Sequence, residues 1–305
     1  MPAVCVGRRA RIKSPLEAPI APKARRLVNI HEPGPLEGRV ERWPVLAVTG
    51  ALEVRLAETD AEVEAAQRLR YRVFYEEMAA VPTPAMREVR RDFDRLDEFC
   101  DHLLVVDRSA TDAEGQPLVV GTYRLIRAEY AAKAGGFYTS GEYDLAPMIA
   151  AWPSTAKFLE LGRSCILKEW RSRTSTMQLL WRGLMSYVAR FSLELMFGCA
   201  SFAGIDPDAL ALPLSYLHHY HSMPAHLRVR ARPELYVEMN RMAKEQIDIK
   251  EALRALPPMI KGYLRAGCLI GEGAVLDHQF ATTDVFIYLP TADIDPRYKS
   301  RFGPG

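Results

Sequence analysis

The sequence predicts a mixed α/β domain, and three observations carry that prediction. Leu52-Glu53-Val54-Arg55-Leu56 alternates with the period of a half-buried strand. Two later stretches repeat apolar residues at helical spacing, one around residues 63–74 and one from residue 177 onward. The order of elements runs strand, helix, antiparallel strands, strand, long helix, strand.

Residues 1–48 are rich in Pro, Arg and Ala without periodicity and are expected to be a basic, mobile tail. The folded domain is expected over 49–305, with a C-terminal extension from about 206. After the first strand, Thr59 and Asp60 offer an N-cap, and Val63, Ala66, Leu69, Val73 and Phe74 follow at helical spacing. Pro82 and Pro84 end that helix. The spacing predicts antiparallel strands over 102–107 and 118–126, joined by a loop holding Asp112 and Gly115. A central strand over 157–167 comes next, then a helix over 177–197 with Leu180, Leu184, Val188, Phe191 and Leu195 on one face. A short buried strand is expected over 199–203, a helix over 208–220 broken at Pro213, an extended piece over 227–231, helix over most of 233–256, and a strand over 284–288.

The bulk numbers narrow the function. With 49% apolar and 26% charged residues, a sizeable core fits a soluble type of composition. The net charge of +2 makes no overall case for nucleic acid. Five cysteines, an odd number without Cys-x-x-Cys, predict reduced thiols, no zinc site and a cytoplasmic setting. No uncharged apolar run reaches the ~18 residues of a membrane span, and no apolar h-region follows the basic N-terminal residues. Residues 1–30 nonetheless hold seven basic residues against Glu17 alone, which predicts attraction to an anionic membrane surface.

Several chemistry-bearing residues stand out. Asp92, Asp94 and Asp97 form an acidic run interleaved with Phe93, Leu96 and Phe99, so the segment is partly packed. Glu160 and Arg163 lie on the expected central strand, where simple alternation puts them on opposite faces unless Gly162 permits a bulge. Between that strand and the long helix, Arg171, Arg173 and Ser175 make a basic, hydroxyl-rich loop suited to one phosphate at a helix N-terminus; a solvated helix cap explains it equally. His218, His219, His221 and His226 lack carboxylate partners for a metal. Cys165 reads as a buried strand thiol, and Asp277 and His278 precede a strand, with His278 either a proton shuttle or structural.

Arg70-Tyr71-Arg72-Val73-Phe74, the run Asp92 to Asp97, Arg124-Leu125 and Glu160-x-x-Arg163 resemble, in order, the motifs of acyl-homoserine-lactone synthases. The tryptophan of that family is missing after Phe74. A more extensive resemblance covers 50–300 and rests on FYTSGEYDL (137–145), FLELGRSCI (158–166), GIDP (204–207), LPPMIKGYLRAG (256–267) and DHQFATTDVFI (277–287). These segments are similar to the N-acyltransferases of ornithine-lipid synthesis. The resemblance implies a GNAT-type acyltransferase fold with a central mixed, mostly antiparallel sheet flanked by helices.

It also implies transfer of a 3-hydroxyacyl chain from acyl carrier protein to the α-amine of ornithine, giving lyso-ornithine lipid. Lysine, glycine or glutamine as acceptor, or lactone-synthase-like chemistry, are the alternatives. No bound cofactor is implied, since the phosphopantetheine arrives on the carrier. Glu160 is then expected to remove the proton or orient the group that does, beside Arg163. Arg70, Asp92, Asp94, Asp97 and Arg124 are expected to bind substrate or pair with one another. Arg171, Arg173 and Ser175 are expected to meet the carrier's phosphopantetheine. Lys261, Arg265 and residues 267–273 are candidates for a wall of the acyl cleft.

Overall fold

The computed structural model describes residues 44–78 and 80–303. The expected tail therefore lies almost wholly outside the described residues. Ten strands form one sheet: β1 (Ala47–Thr49), β2 (Leu52–Leu56), β3 (Asp101–Thr111), β4 (Pro117–Arg127), β5 (Tyr143–Asp144), β6 (Phe158–Ile166), β7 (Leu195–Ala203), β8 (Arg230–Ala231), β9 (Leu269–Asp277) and β10 (Thr282–Pro290). Their order across the sheet is β1-β2-β3-β4-β6-β7-β10-β9-β8-β5. Only the β6–β7 and β8–β9 pairs are parallel, so the sheet is mixed and mostly antiparallel. The helices are α1 (Asp60–Tyr71), α2 (Pro84–Val89), α3 (Ala128–Lys133), α4 (Ala146–Ala150), α5 (Thr174–Phe191), α6 (Ala211–His221), α7 (Ile249–Ala255), α8 (Pro258–Ala266) and α9 (Pro296–Phe302).

Local chemistry accounts for the first half. The Thr59 side chain caps α1 by accepting from the Glu62 N–H. Past Tyr71 the chain widens into a π-helix, Arg72–Glu77. Such insertions favour functional sites, and here the extra residue turns Tyr75 toward Asp92. On the other face of the sheet lies α5. Its Gly183 lets helix and strands approach closely, because a Cβ there would sit 2.5 Å from Val54 Cγ2. The two faces thus carry separate layers: α1 and the 92–99 segment on one, α5 with α8 and α9 near Trp181 on the other.

Three stretches differ from the sequence reading. The long helix stops at Phe191, where Ser192 adopts a left-handed conformation (φ 51°), and Leu195, Met196 and Phe197 belong to β7. Apolar spacing carried on across the turn, so periodicity could not locate the end. Residues 233–243 are not helical: Val237 bridges to Ala274, and the Ser215 hydroxyl oxygen accepts from the N–H groups of Arg241 and Met242. Tertiary contacts override propensity there. Pro213 does not break α6 but sits buried in its first turn, where its missing N–H costs nothing.

The sheet opens at its centre. Strands β6 and β7 pair only from Phe158↔Leu195 to Leu161↔Gly198. Beyond that point β6 stays with β4 and β7 stays with β10. Gly198 sits at the parting, and a Cβ on it would lie 2.3 Å from the Leu161 carbonyl oxygen. Replacing Gly198 by Ala should therefore force the strands apart. We expect a loss of about 1–3 kcal/mol, seen as a Tm lower by roughly 5 °C in circular-dichroism melts. An unchanged Tm would show that the strands need no such contact.

Candidate active site

The acidic run and three arginines converge on the α1 face of the sheet. Arg70, fully buried on α1, places its Nε 2.7 Å from Asp92 Oδ2, and its terminal nitrogen donates to both Asp97 oxygens at 3.0 Å. Arg124 on β4 donates to Asp94 Oδ2 at 2.8 Å and lies 3.3 Å from Asp97 Oδ1. Arg163 on β6 lies 3.4 Å from both Asp92 Oδ2 and Asp94 Oδ2. The Tyr75 hydroxyl donates to Asp92, and the Gln67 amide to Asp97. Three guanidiniums thus face three carboxylates. The surplus negative charge suggested by the run is cancelled internally.

Asp94 and Asp97 form a capping box at the start of the 3-10 helix Arg95–Phe99, which fixes the run in one shape. Burial works against ionisation of Asp97, yet Arg70 and Arg124 hold its carboxyl well below the usual range. Asp94 is likewise lowered against its own burial, by Arg124 and Arg163. Burial holds His102, packed under this array, down at about 4, so it is neutral at pH 7.

A β-bulge decides where Glu160 and Arg163 go. Between Thr122↔Cys165 and Arg124↔Gly162, β6 uses one residue more than β4, and Arg163 there has φ 52°. Both side chains consequently reach Tyr138. Arg163 lies 4.8 Å from the centre of the Tyr138 ring and 4.7 Å from that of Phe280. The buried Glu160 accepts from the backbone N–H groups of Tyr138 (2.8 Å) and Thr139 (2.6 Å). Burial raises its pKa while these N–H groups hold the rise back. Each Glu160 oxygen is occupied in holding the 137–142 segment.

That segment delivers a group the sequence reading did not single out. Glu142 follows the turn Thr139–Gly141, and oxygens of Glu142, Asp277 and Asp284 all lie within 4.8 Å of one another. Asp277 ends β9, and Asp284 lies on β10. The three are far apart in sequence and share no local motif; only the quoted segments 137–145 and 277–287 contain them. The Cys199 thiol of β7 donates to Glu142 at 3.2 Å.

Other expected residues sit elsewhere. Arg171 donates to Glu77 (2.6 Å) and to the Ile166 carbonyl (2.9 Å), while Arg173 lies over the Trp170 ring at 3.9 Å. Ser175 is half-buried in the first turn of α5. His278 is exposed, and His219 and His221 contact the Met242 carbonyl and the Tyr216 hydroxyl. Cys165 is buried. Opposite the arginine array, on the α5 side of the gap, Leu161, Gly198, Cys199, Trp181, Tyr263 and Ile287 line an apolar cavity. Lys261, by contrast, donates to the Arg254 carbonyl.

A sheet parted between two parallel strands, with an apolar cavity on one side and an ionic array on the other, defines an acyltransferase of the GNAT class. The family model described as Acetyltransferase (GNAT) domain matches residues 69–182. The chain is 48% identical over 255 residues to an L-ornithine N(alpha)-acyltransferase of Agrobacterium fabrum, covering 83% of this chain and 86% of that protein. It is 50% identical over 259 residues to one from Brucella abortus, covering 85% and 91%. Among solved structures, FeeM, an N-acyl amino acid synthase from uncultured soil microbes, aligns over 82% of this chain and 94% of its own, at 12% identity and a TM-score of 0.41. The chain belongs to the L-ornithine N(alpha)-acyltransferase family and is an acyltransferase.

The buried array makes a testable demand. Asp97→Asn leaves Arg70 and Arg124 with one carboxylate fewer, which should cost about 3–5 kcal/mol at neutral pH. The native pKa of Asp97 is depressed, so its stabilisation is present above the unfolded carboxylate value and fades as pH falls through the native one. In denaturant titrations the gap between variant and wild type should stay level from pH 8 to 5 and narrow below about pH 4. A pH-independent gap would mean that Asp97 acts by packing rather than charge.

Proposed function

We propose that this chain transfers a 3-hydroxyacyl chain from acyl carrier protein to the α-amine of ornithine, forming lyso-ornithine lipid. The observation that carries the reading is 48–50% identity to ornithine acyltransferases over more than four-fifths of the chain. The geometry supplies parts that such a reaction uses. The apolar side chains of Leu161, Trp181, Tyr263 and Ile287 on the α5 side of the gap offer a surface for the acyl chain. Backbone groups of β7 beyond Gly198 that face the gap have no ladder partner on β6, which suits polarisation of a thioester carbonyl. The amine then attacks directly, so no covalent enzyme intermediate is needed.

Carrier protein as the donor is supported by the loop before α5. It lacks the glycines that cradle a pyrophosphate, and it keeps Lys168, Arg171 and exposed Arg173 beside a helix N-terminus, enough for one phosphate and an acidic partner. Glu160 acts as a positioning residue through the 137–142 segment. Arg163, Arg124 and Arg70 with their aspartates form the fixed wall against which Tyr138 packs. Membrane attraction through the basic residues of 1–30 falls outside the described residues. No helix among the described residues is long and apolar enough to cross a membrane.

Three outcomes test this. Purified protein given 3-hydroxyacyl carrier protein and ornithine should yield N-acylornithine by mass spectrometry, with glycine and glutamine far poorer acceptors; preferential acylation of a neutral amino acid would sink the assignment. Arg173→Glu should raise KM for the carrier-bound donor roughly tenfold at low salt and leave kcat unchanged, because rim charges act on encounter. Glu160→Gln should lower kcat by roughly 10²-fold through misplacement of the 137–142 segment while leaving the pH profile's ascending limb in place. Loss of that limb would instead identify Glu160 as the proton acceptor.

A further inference from the structure

The arginine array is electrically closed, but the group formed by Glu142, Asp277 and Asp284 is not. Glu142 is surrounded by Asp277, Asp284 and the Cys199 thiol, and Arg163, whose charge reaches both Glu142 and Asp284, is already engaged by Asp92 and Asp94. Tyr138 and Tyr143, on either side of Glu142, are neutral, since burial raises both phenols. Cys199 is neutral for the same reason.

A second observation, at Asp284, bears on the same group. Asp284 is more than nine-tenths buried, and its Oδ1 has no hydrogen-bond partner among the described residues. The Ser201 and Thr282 hydroxyls approach the carboxylate and ease its ionisation, but neither completes a hydrogen bond at Oδ1. A buried, unpaired carboxylate oxygen is costly unless something fills it.

The grouping admits such a ligand. A primary ammonium has three N–H donors, each reaching an oxygen about 2.8–3.0 Å away. The three carboxylates offer oxygens no more than 4.8 Å from one another, close enough for one ammonium to touch all three. Cys199 links this group to the donor side, since it touches Glu142 and also lines the apolar cavity at the gap.

We propose that Glu142, Asp277 and Asp284 form the subsite for the acceptor's reacting amine, and that Glu142 takes its proton. This rests on the reading of the chain as an amino-acid N-acyltransferase. The amine enters as an ammonium and is held by the three carboxylates. One proton passes to Glu142; the freed lone pair forms the C–N bond to the thioester carbonyl carbon. The C–S bond breaks, and the departing thiolate takes up a proton as the nitrogen loses its second. Burial, reinforced by Asp284, pushes the Glu142 carboxyl up to about 8, and burial pushes Asp284 up to about 6. A base must be ionised to accept a proton, so kcat/KM should rise with pH across that range.

The test uses the full chain with ornithine as probe. Glu142→Gln should lower kcat/KM for ornithine at least 100-fold, leave KM for the acyl donor unchanged and abolish the ascending limb of the pH profile. Asp284→Asn, in case the first variant folds poorly, should weaken ornithine binding about tenfold in calorimetry with the donor KM intact. Wild-type ornithine affinity and turnover in both variants would overturn the inference. So would wild-type activity that a chelator removes and Mg²⁺ or Mn²⁺ restores, which would make the group a metal site. A wild-type enzyme that acylates no amino acid would bring down the proposed function and this inference with it; an active wild type with undiminished variants would bring down the inference alone.

Discussion

The constraint on which the rest of this structure depends is the pairing of Arg70, Arg124 and Arg163 with Asp92, Asp94 and Asp97. These groups are drawn from α1, from the capped segment after α2, from β4 and from β6. Burying a charge is tolerable only when it is matched and hydrogen-bonded, so each of these elements must sit where its partner's charge is. The π-helical turn after α1 and the left-handed Arg163 in the β6 bulge are local distortions that this matching explains. The array supplies a stiff wall rather than a field, because its charges cancel.

On that wall rests the segment 137–142. Glu160 grips its backbone from below, while Arg163 packs against Tyr138 and Phe280. A carboxylate fully used in accepting two backbone N–H bonds fixes a loop as firmly as a strand pairing would. The consequence is one of placement: Glu142, the residue directly after the gripped turn, comes to stand over β7, β9 and β10 at the parting of the sheet. Glu160 thus fixes the backbone from which Glu142 projects.

How much of this the sequence disclosed follows from the range of each signal. Alternation and capping made β2, α1, β3, β4 and β6 legible, since those signals lie within about ten residues of one another. The Arg70–Asp92–Arg124–Glu160–Arg163 series was legible as a set through its resemblance to a known order of motifs, but its neutrality was not; only the ion pairs show which arginine meets which aspartate. A bulge in β6 was foreseeable as a need, though the left-handed residue is Arg163 rather than Gly162. The end of α5 was not, because apolar spacing runs from helix into strand through Ser192. Strand β9 escaped notice because Gly271 and Gly273 interrupt its alternation. Glu142, Asp277 and Asp284 escaped as a group because a sheet, not a motif, brings them together.

Arg163 joins the two halves of the site. It pairs with Asp92 and Asp94 in the closed array, and its charge also lowers the cost of ionising Glu142 and Asp284. One guanidinium shared in this way cannot neutralise three further carboxylates. The field on the far side of Tyr138 therefore remains negative even though the array beneath it is balanced. An enzyme that acylates an amine has a use for that asymmetry. It must draw in a cation and then release a neutral nucleophile, and a carboxylate whose neighbours are also carboxylates gives up its charge readily to a proton. The same crowding that attracts the ammonium makes the proton easy to accept, so binding and activation of the amine come from one arrangement of charges.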